Sequence, residues 1–200
     1  MNAVKTYLAL DLELNNAQDG STPNPKIIQV GVAWGTWDHY AENCLETRKW
    51  YIDPGELIYP EITELTGITD LDIKTHAVSH QVVADELGEI ITKNDSFINP
   101  VTWGGGDTLE LQAEFRERNI RFPYFGRRWI DVKTWHIFHM ISQNRSTSGG
   151  LKGSMSRHGL QFEGTPHRAD VDAFNTLRLF FKMLDRQDRV NYLLKVAKEI

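Results

Sequence analysis

Residues 6–14 read Thr-Tyr-Leu-Ala-Leu-Asp-Leu-Glu-Leu, an apolar run of strand character with two carboxylates, Asp11 and Glu13, set into it. Side chains alternate along a strand, so positions i and i+2 share a face. Asp11 and Glu13 therefore point the same way and lie close together. The apolar neighbours Leu8, Leu10, Leu12 and Leu14 argue for a central strand and against an edge pair facing water. Two adjacent carboxylates repel, and one stays protonated unless a divalent cation lets both keep their charge. The stretch predicts half of a metal site, and the remaining ligands have to come from elsewhere in the chain.

Outward from that strand, a polar loop at 15–25 leads to a second apolar run, Lys26 to Trp34, and Lys49-Trp50-Tyr51-Ile52 gives a third strand ended by Asp53-Pro54-Gly55. The short connections favour antiparallel pairing. The period then changes. Pro60 to Leu65 predicts a short helix stopped at Gly67, and Ser79 to Thr92 carries Val82, Val83, Leu87, Ile90 and Ile91 at helical spacing. Ser96 to Trp103 reads as a fourth strand, Thr108 to about Asn119 as a helix, and Arg128 to Val132 as a last strand. The remainder is helical, with apolar stripes at Leu177, Phe180, Phe181, Leu184 and at Val190, Leu193, Leu194, Ala197. Strands first, then strand–helix alternation, predict an α/β fold with a mixed five-stranded sheet flanked by helices.

The 200 residues suit a single domain, 1–200, with no repeat, low-complexity tract or long linker. No apolar stretch approaches a membrane span, no signal peptide precedes the first strand, and Cys44 is the one cysteine, so a cytoplasmic protein without disulfides or a cysteine zinc site is expected. Net charge is −5, not the basic signature of a nucleic-acid binder, although metal-binding carboxylates themselves lower it. Positive charge gathers at Arg116, Arg118, Arg121, Arg127, Arg128 and Lys133. Most of these read as a solvated face, with phosphate contact open to a few.

Asp107 follows Gly104-Gly105-Gly106 and opens a helix; Asp107-Thr108-Leu109-Glu110 fits a capping box with Asp107 as N-cap. A carboxylate at a strand-to-helix junction also sits where ligands bind in such sheets. No Lys-Ser or Lys-Thr follows the glycines, so they do not form a phosphate-binding P-loop. Pro166-His167 precedes a helix containing Asp172, with Asp170 two positions earlier on another face and small Ala169 and Ala173 suited to close packing on the sheet. His76 and His80 have zinc-pair spacing but lack a third ligand, and they, like His136 and His139, read as packing residues.

Taken in order, these pieces resemble the DEDDh family of 3′-to-5′ exonucleases. Asp11-Leu12-Glu13 matches its first motif, Asp107 its second, and His167-Arg168-Ala169-Asp170-Val171-Asp172-Ala173 its third. Lys26 to Gly31 and Pro60 to Thr69 also look like the family, and Thr102-Trp103-Gly104 resembles its RNA-interference and histone-mRNA branch. The likeness runs from about residue 6 to 184. Leu14 and Asn15 depart from the Thr common there, and Gly105-Gly106 from a bulkier Asp-Trp.

The resemblance implies an RNase H-like fold and phosphodiester hydrolysis with two ions, Mg²⁺ or Mn²⁺. It implies Asp11, Glu13, Asp107 and Asp172 as metal-site carboxylates and His167 as general base, a task that an imidazole's ordinary titration suits. It implies release of nucleoside 5′-monophosphates from single-stranded 3′ ends, RNA favoured, with a DNA-directed proofreading or repair exonuclease as the alternative and a silent nucleic-acid-binding module on the same fold as the rival. Trp103 is a candidate for stacking on a base and equally for core packing, with Leu14 as an apolar contact. Guidance to a particular 3′ end is left to partners or to loops 15–25 and 142–153. The C-terminal helix suits either a homodimer or closure of the core.

Overall fold

The computed structural model describes residues 5–17, 22, 24–38, 45–123, 125 and 128–198; Cys44, Arg127 and much of the 15–25 loop lie outside them. Five strands are described: β1 (Thr6–Asn15), β2 (Lys26–Thr36), β3 (Leu45–Tyr51), β4 (Val101–Thr102) and β5 (Ile130–Asp131). They form one sheet in the order β3-β2-β1-β4-β5. The first three strands are antiparallel, while β4 runs parallel to β1 and β5 parallel to β4. The sheet is therefore mixed, as expected, and β1 is its central strand.

Alternation along β1 decides what each face does. Leu8, Leu10 and Leu12 join Val30, Val32 and Trp50 in a core closed by α3 (His80–Lys93) and α4 (Asp107–Glu117) through Val83, Leu87, Leu111 and Phe115. Ala9 and Ala33 face a second core on the other side. It is supplied by α5 (Val132–Ser142), α6 (Leu151–Arg157) and α7 (Ala169–Val196) through Val132, Met155, Ala173, Leu177 and Phe180. Asp11 and Glu13 share the face of Ala9, beneath the N-terminal end of α7. Two short helices, α1 (Pro60–Thr66) and α2 (Asp70–His76), bury Ile62 and Ile73 with Ile28 in a third cluster.

The β1–β2 pairing slips between Glu13 and Leu14: Glu13 faces Gln29 and Leu14 faces Ile27. Ile28, the extra residue, serves the third cluster instead. Such bulges re-aim side chains next to functional sites. Beyond the slip, buried Asn15 donates to Glu56 Oε1 (3.0 Å) and the Leu57 carbonyl (3.1 Å) and accepts from the Tyr59 N–H (2.9 Å), which pins the 56–59 loop to the end of β1.

Several elements differ from expectation. β3 begins at Leu45, four residues earlier than predicted; Leu45 packs on the second core but Glu46, Thr47 and Arg48 are polar and exposed, an edge strand held by backbone pairing with Trp34 and Gly35. The strand predicted over 96–103 contracts to Val101–Thr102, because the chain bends at 98–99 and Pro100 has no N–H to donate. The last strand contracts to Ile130–Asp131, since the Asp131 side chain caps α5 by accepting from the Lys133 and Thr134 N–H groups. Helix α2 was not anticipated; a reciprocal capping box between Thr69 and Asp72 starts it. The cap of α4 is Gly106, and Asp107 is the first helical residue with no capping hydrogen bond from its side chain. The Asp107 carboxylate is thereby left for the site. Among the described residues no helix is long and apolar enough to cross a membrane.

Candidate metal-dependent active site

Three of the five predicted site residues meet closely. Carboxylate oxygens of Asp11, Glu13 and Asp172 all lie within 4.8 Å of one another. Asp107 arrives from the end of β4 and stands outside that trio, yet near enough for its charge to act on Asp11 and Glu13. His167 lies exposed beside Asp172.

The electrostatics are those of a cluster of like charges. Burial, then Asp107, Glu13 and Asp172, holds the Asp11 carboxyl well above the ordinary carboxylate range. Burial, reinforced by Asp172 and Asp107 and opposed by Arg168, raises Glu13 to about 8. Burial and neighbouring Glu110 raise Asp107 to about 6. Burial raises Asp172 as well, against the opposing pull of the His167 backbone N–H. An all-oxygen donor set, partly buried and mutually repulsive, fits hard divalent cations such as Mg²⁺ or Mn²⁺ and lacks the soft ligands that zinc prefers.

Asp172 is carried by the first turn of α7, and two β2 residues set where that turn lies. A β-carbon on Gly31 would overlap the backbone carbonyl of Ala169, so the helix approaches the strand as closely as only glycine permits. Gly31 is also the register partner of Asp11. The next residue on the same face, Gln29, accepts a 2.8 Å hydrogen bond at Oε1 from the Ala169 N–H, one of the free donors at the start of α7. Asp170 turns away and pairs with Lys49 (3.1 Å), as its place on another face predicts. His167 adopts a left-handed backbone (φ 61°) and its N–H donates to Asp172 Oδ2 at 2.8 Å. Main chain, not imidazole, thus fixes the histidine relative to the carboxylate.

His80 and His136 pack in the interior, as expected. His80 is buried against Glu114 (Nε2 to Oε1, 2.7 Å), whose Oε2 accepts the Ile27 N–H at 3.0 Å. His136 is buried and meets His158 at 3.1 Å. Trp103 is half-buried at the edge of the second core, 6.0 Å from the His136 ring. Gln29 and Gly31 are the positioning residues that sequence reasoning passed over; the glycine inside an otherwise continuous apolar strand is the signal that marks a close backbone approach.

Residues 8–180 match the exonuclease family RNase_T. A zebrafish (Danio rerio) protein, ERI1 exoribonuclease 2, is 28% identical over 155 residues, which are 67% of this chain and 27% of that protein. The chain thus spans about a quarter of the length of that relative. Among solved structures, the nuclease domain of 3′hExo, a DEDDh family member bound to rAMP, superposes with a TM-score of 0.76 at 18% identity over 92% of this chain and 94% of that one. Cell-death related nuclease 4 superposes with a TM-score of 0.77 at 17% identity over 92% and 64%. With a model of that family matching most of its length, this chain belongs to the RNase_T exonuclease family.

Proposed function

We propose that residues 1–200 form one metal-dependent 3′-to-5′ exonuclease domain that releases nucleoside 5′-monophosphates from single-stranded 3′ ends, RNA favoured. The observation that carries this reading is the convergence of buried Glu13 with half-buried Asp11 and Asp172. In it Asp11, Glu13 and Asp172, supported by Asp107, hold two Mg²⁺ or Mn²⁺ ions. Such ions supply Lewis acidity toward the phosphoryl oxygens and lower the pKa of water. Exposed His167 takes the proton of the attacking water on an imidazole nitrogen. Oxygen from that water bonds to phosphorus, the 3′ oxygen leaves, and the terminal nucleotide departs as a 5′-monophosphate. Asp172, accepting the His167 main-chain N–H, holds the base at the site.

RNA preference draws its support from the name of the zebrafish relative, an exoribonuclease. A cytoplasmic location fits a chain with a single cysteine. A homodimer would use the exposed apolar end of α7, where Tyr192, Leu193 and Leu194 face solvent; light scattering tests it. The deciding experiment incubates the protein with end-labelled RNA and DNA oligonucleotides, single- and double-stranded, with Mg²⁺, Mn²⁺ or EDTA. Stepwise shortening from the 3′ end, faster on RNA and silenced by EDTA, is expected. Faster DNA degradation moves the reading to the DNA-directed alternative, and binding without cleavage to the silent module.

A further inference from the structure

Helix α4 starts at the site, with Asp107 as its first residue, and leads away from it. Leu109, Gln112 and Arg116 recur along one face at three- and four-residue spacing. They form one wall of a cleft of about 800 Å³ whose other wall includes Phe122 and Trp129 and whose far end holds Arg121. Leu109, at the end nearer the site, is 60% exposed.

Two properties make this cleft more than a gap between elements. First, Arg116 and Arg121 are exposed and form no ion pair or side-chain hydrogen bond among the described residues, whereas Arg118 from the same stretch pairs with Glu114 at 3.4 Å. In a chain of net charge −5, two unneutralised guanidiniums on one cleft match phosphodiester groups, which guanidinium binds well. Second, the aromatic wall is continuous with the core. Phe115, Phe122, Phe125 and Trp129 run as a ladder of ring contacts at 5.0, 5.6 and 6.1 Å, with Phe115 fully buried in the core. An aromatic surface beside free cations is the combination that tracks single strands. On the other side of Arg121, the adjoining cleft presents Asp85 and Glu89, which repel phosphate.

We propose that the α4 cleft holds the single strand upstream of the scissile 3′ end, its phosphates on Arg116 and Arg121 and a base against Trp129. From Leu109 to Arg116 the helix advances about 10 Å, the length of roughly three stacked nucleotides. Oligonucleotides of about six or more residues therefore engage the cleft, and dinucleotides do not. This assignment rests on the exonuclease reading above.

The test compares the wild type with Arg116→Ala/Arg121→Ala on a single-stranded 12-mer and on a dinucleotide. For the 12-mer, KM rises about tenfold with kcat kept, and the salt dependence of binding flattens by about 1.4 log units per log unit of salt, two contacts at ~0.7 each. Dinucleotide turnover is unchanged. Trp129→Leu raises the 12-mer KM with no change in salt slope, separating base contact from phosphate contact. Equal loss on both substrates, or no loss on either, overturns the cleft. Fluorescence anisotropy of the 12-mer in EDTA, set beside hydrolysis measured with Mg²⁺, keeps the two readings apart: wild-type binding weakened in the double variant, with no hydrolysis in Mg²⁺, upholds the cleft and rejects the exonuclease, while hydrolysis in Mg²⁺ with unchanged binding does the reverse.

Discussion

The Asp11 carboxyl is half-buried beside three others, and all of them raise the energy of its charged form. Asp11→Asn removes that repulsion with almost no change in shape. The variant is expected to lose hydrolysis altogether and yet melt higher than the wild type in EDTA at pH 8, measured by calorimetry; a lower melting temperature refutes the picture of an uncompensated cluster. His167 gives the opposite pairing of effects. Its ring is exposed and its tie to Asp172 runs through the backbone N–H, so His167→Ala keeps the fold and the carboxylates while kcat falls about 10²–10⁴-fold, the usual range for a general base. An unchanged kcat removes histidine from the mechanism. At this scale the sequence was legible wherever chemistry forces a spacing. The i, i+2 geometry of a strand exposes the Asp11–Glu13 pair, and the interval from His167 to Asp172 separates Asp172 from Asp170. The free carboxylate of Asp107 was hidden by local pattern, since Asp-Thr-Leu-Glu reads as a capping box whether or not the preceding glycine takes the cap.

Helix α7 bears Asp172 but owes its place to strand β2. Gly31→Ala sets a methyl group against the Ala169 backbone, which side-chain rotation cannot relieve. The expected result is a loss of about 1–3 kcal/mol in stability, typical of overpacking, together with weaker Mn²⁺ binding as Asp172 moves off Asp11 and Glu13. Isothermal titration with Mn²⁺ checks the second effect, and unaltered affinity shows that the close approach does not position the ligand. Elements defined by hydrophobic period were legible: β1, β2, α3 and the α7 core stripe all follow it. Elements defined by main-chain pairing or caps were not. The start of β3 has no alternation to read, β4 is cut short by a bend and a proline, and α2 depends on the Thr69–Asp72 box rather than on an apolar face.

Across the molecule, the cluster links pH, metal and stability. Glu13 moves from an ordinary 4.5 to about 8 on folding. The folded state therefore keeps a proton that the unfolded chain releases, so the Glu13 contribution to metal-free stability is fully present below 4.5 and is lost as pH rises through 8. A cation that binds the ionised cluster reverses the decline. Mg²⁺ should raise the melting temperature more at pH 8 than at pH 5, which a thermal-shift series reads directly; an equal or smaller gain at pH 8 rejects metal binding by these groups. The mixed five-stranded sheet and the exonuclease family were legible because the whole motif set lies in order along one chain. Preference between RNA and DNA was not, because it depends on how a bound strand meets clefts such as that beside α4.

The site's two strand carboxylates stand on the central strand, and its third on a helix sunk into the second core. Segments of this kind open only when the entire domain opens. Amide deuterium exchange at Leu10, Leu12 and Ala173 should accordingly be as slow as global unfolding, and on heating, activity and secondary structure should vanish at one midpoint rather than in two stages.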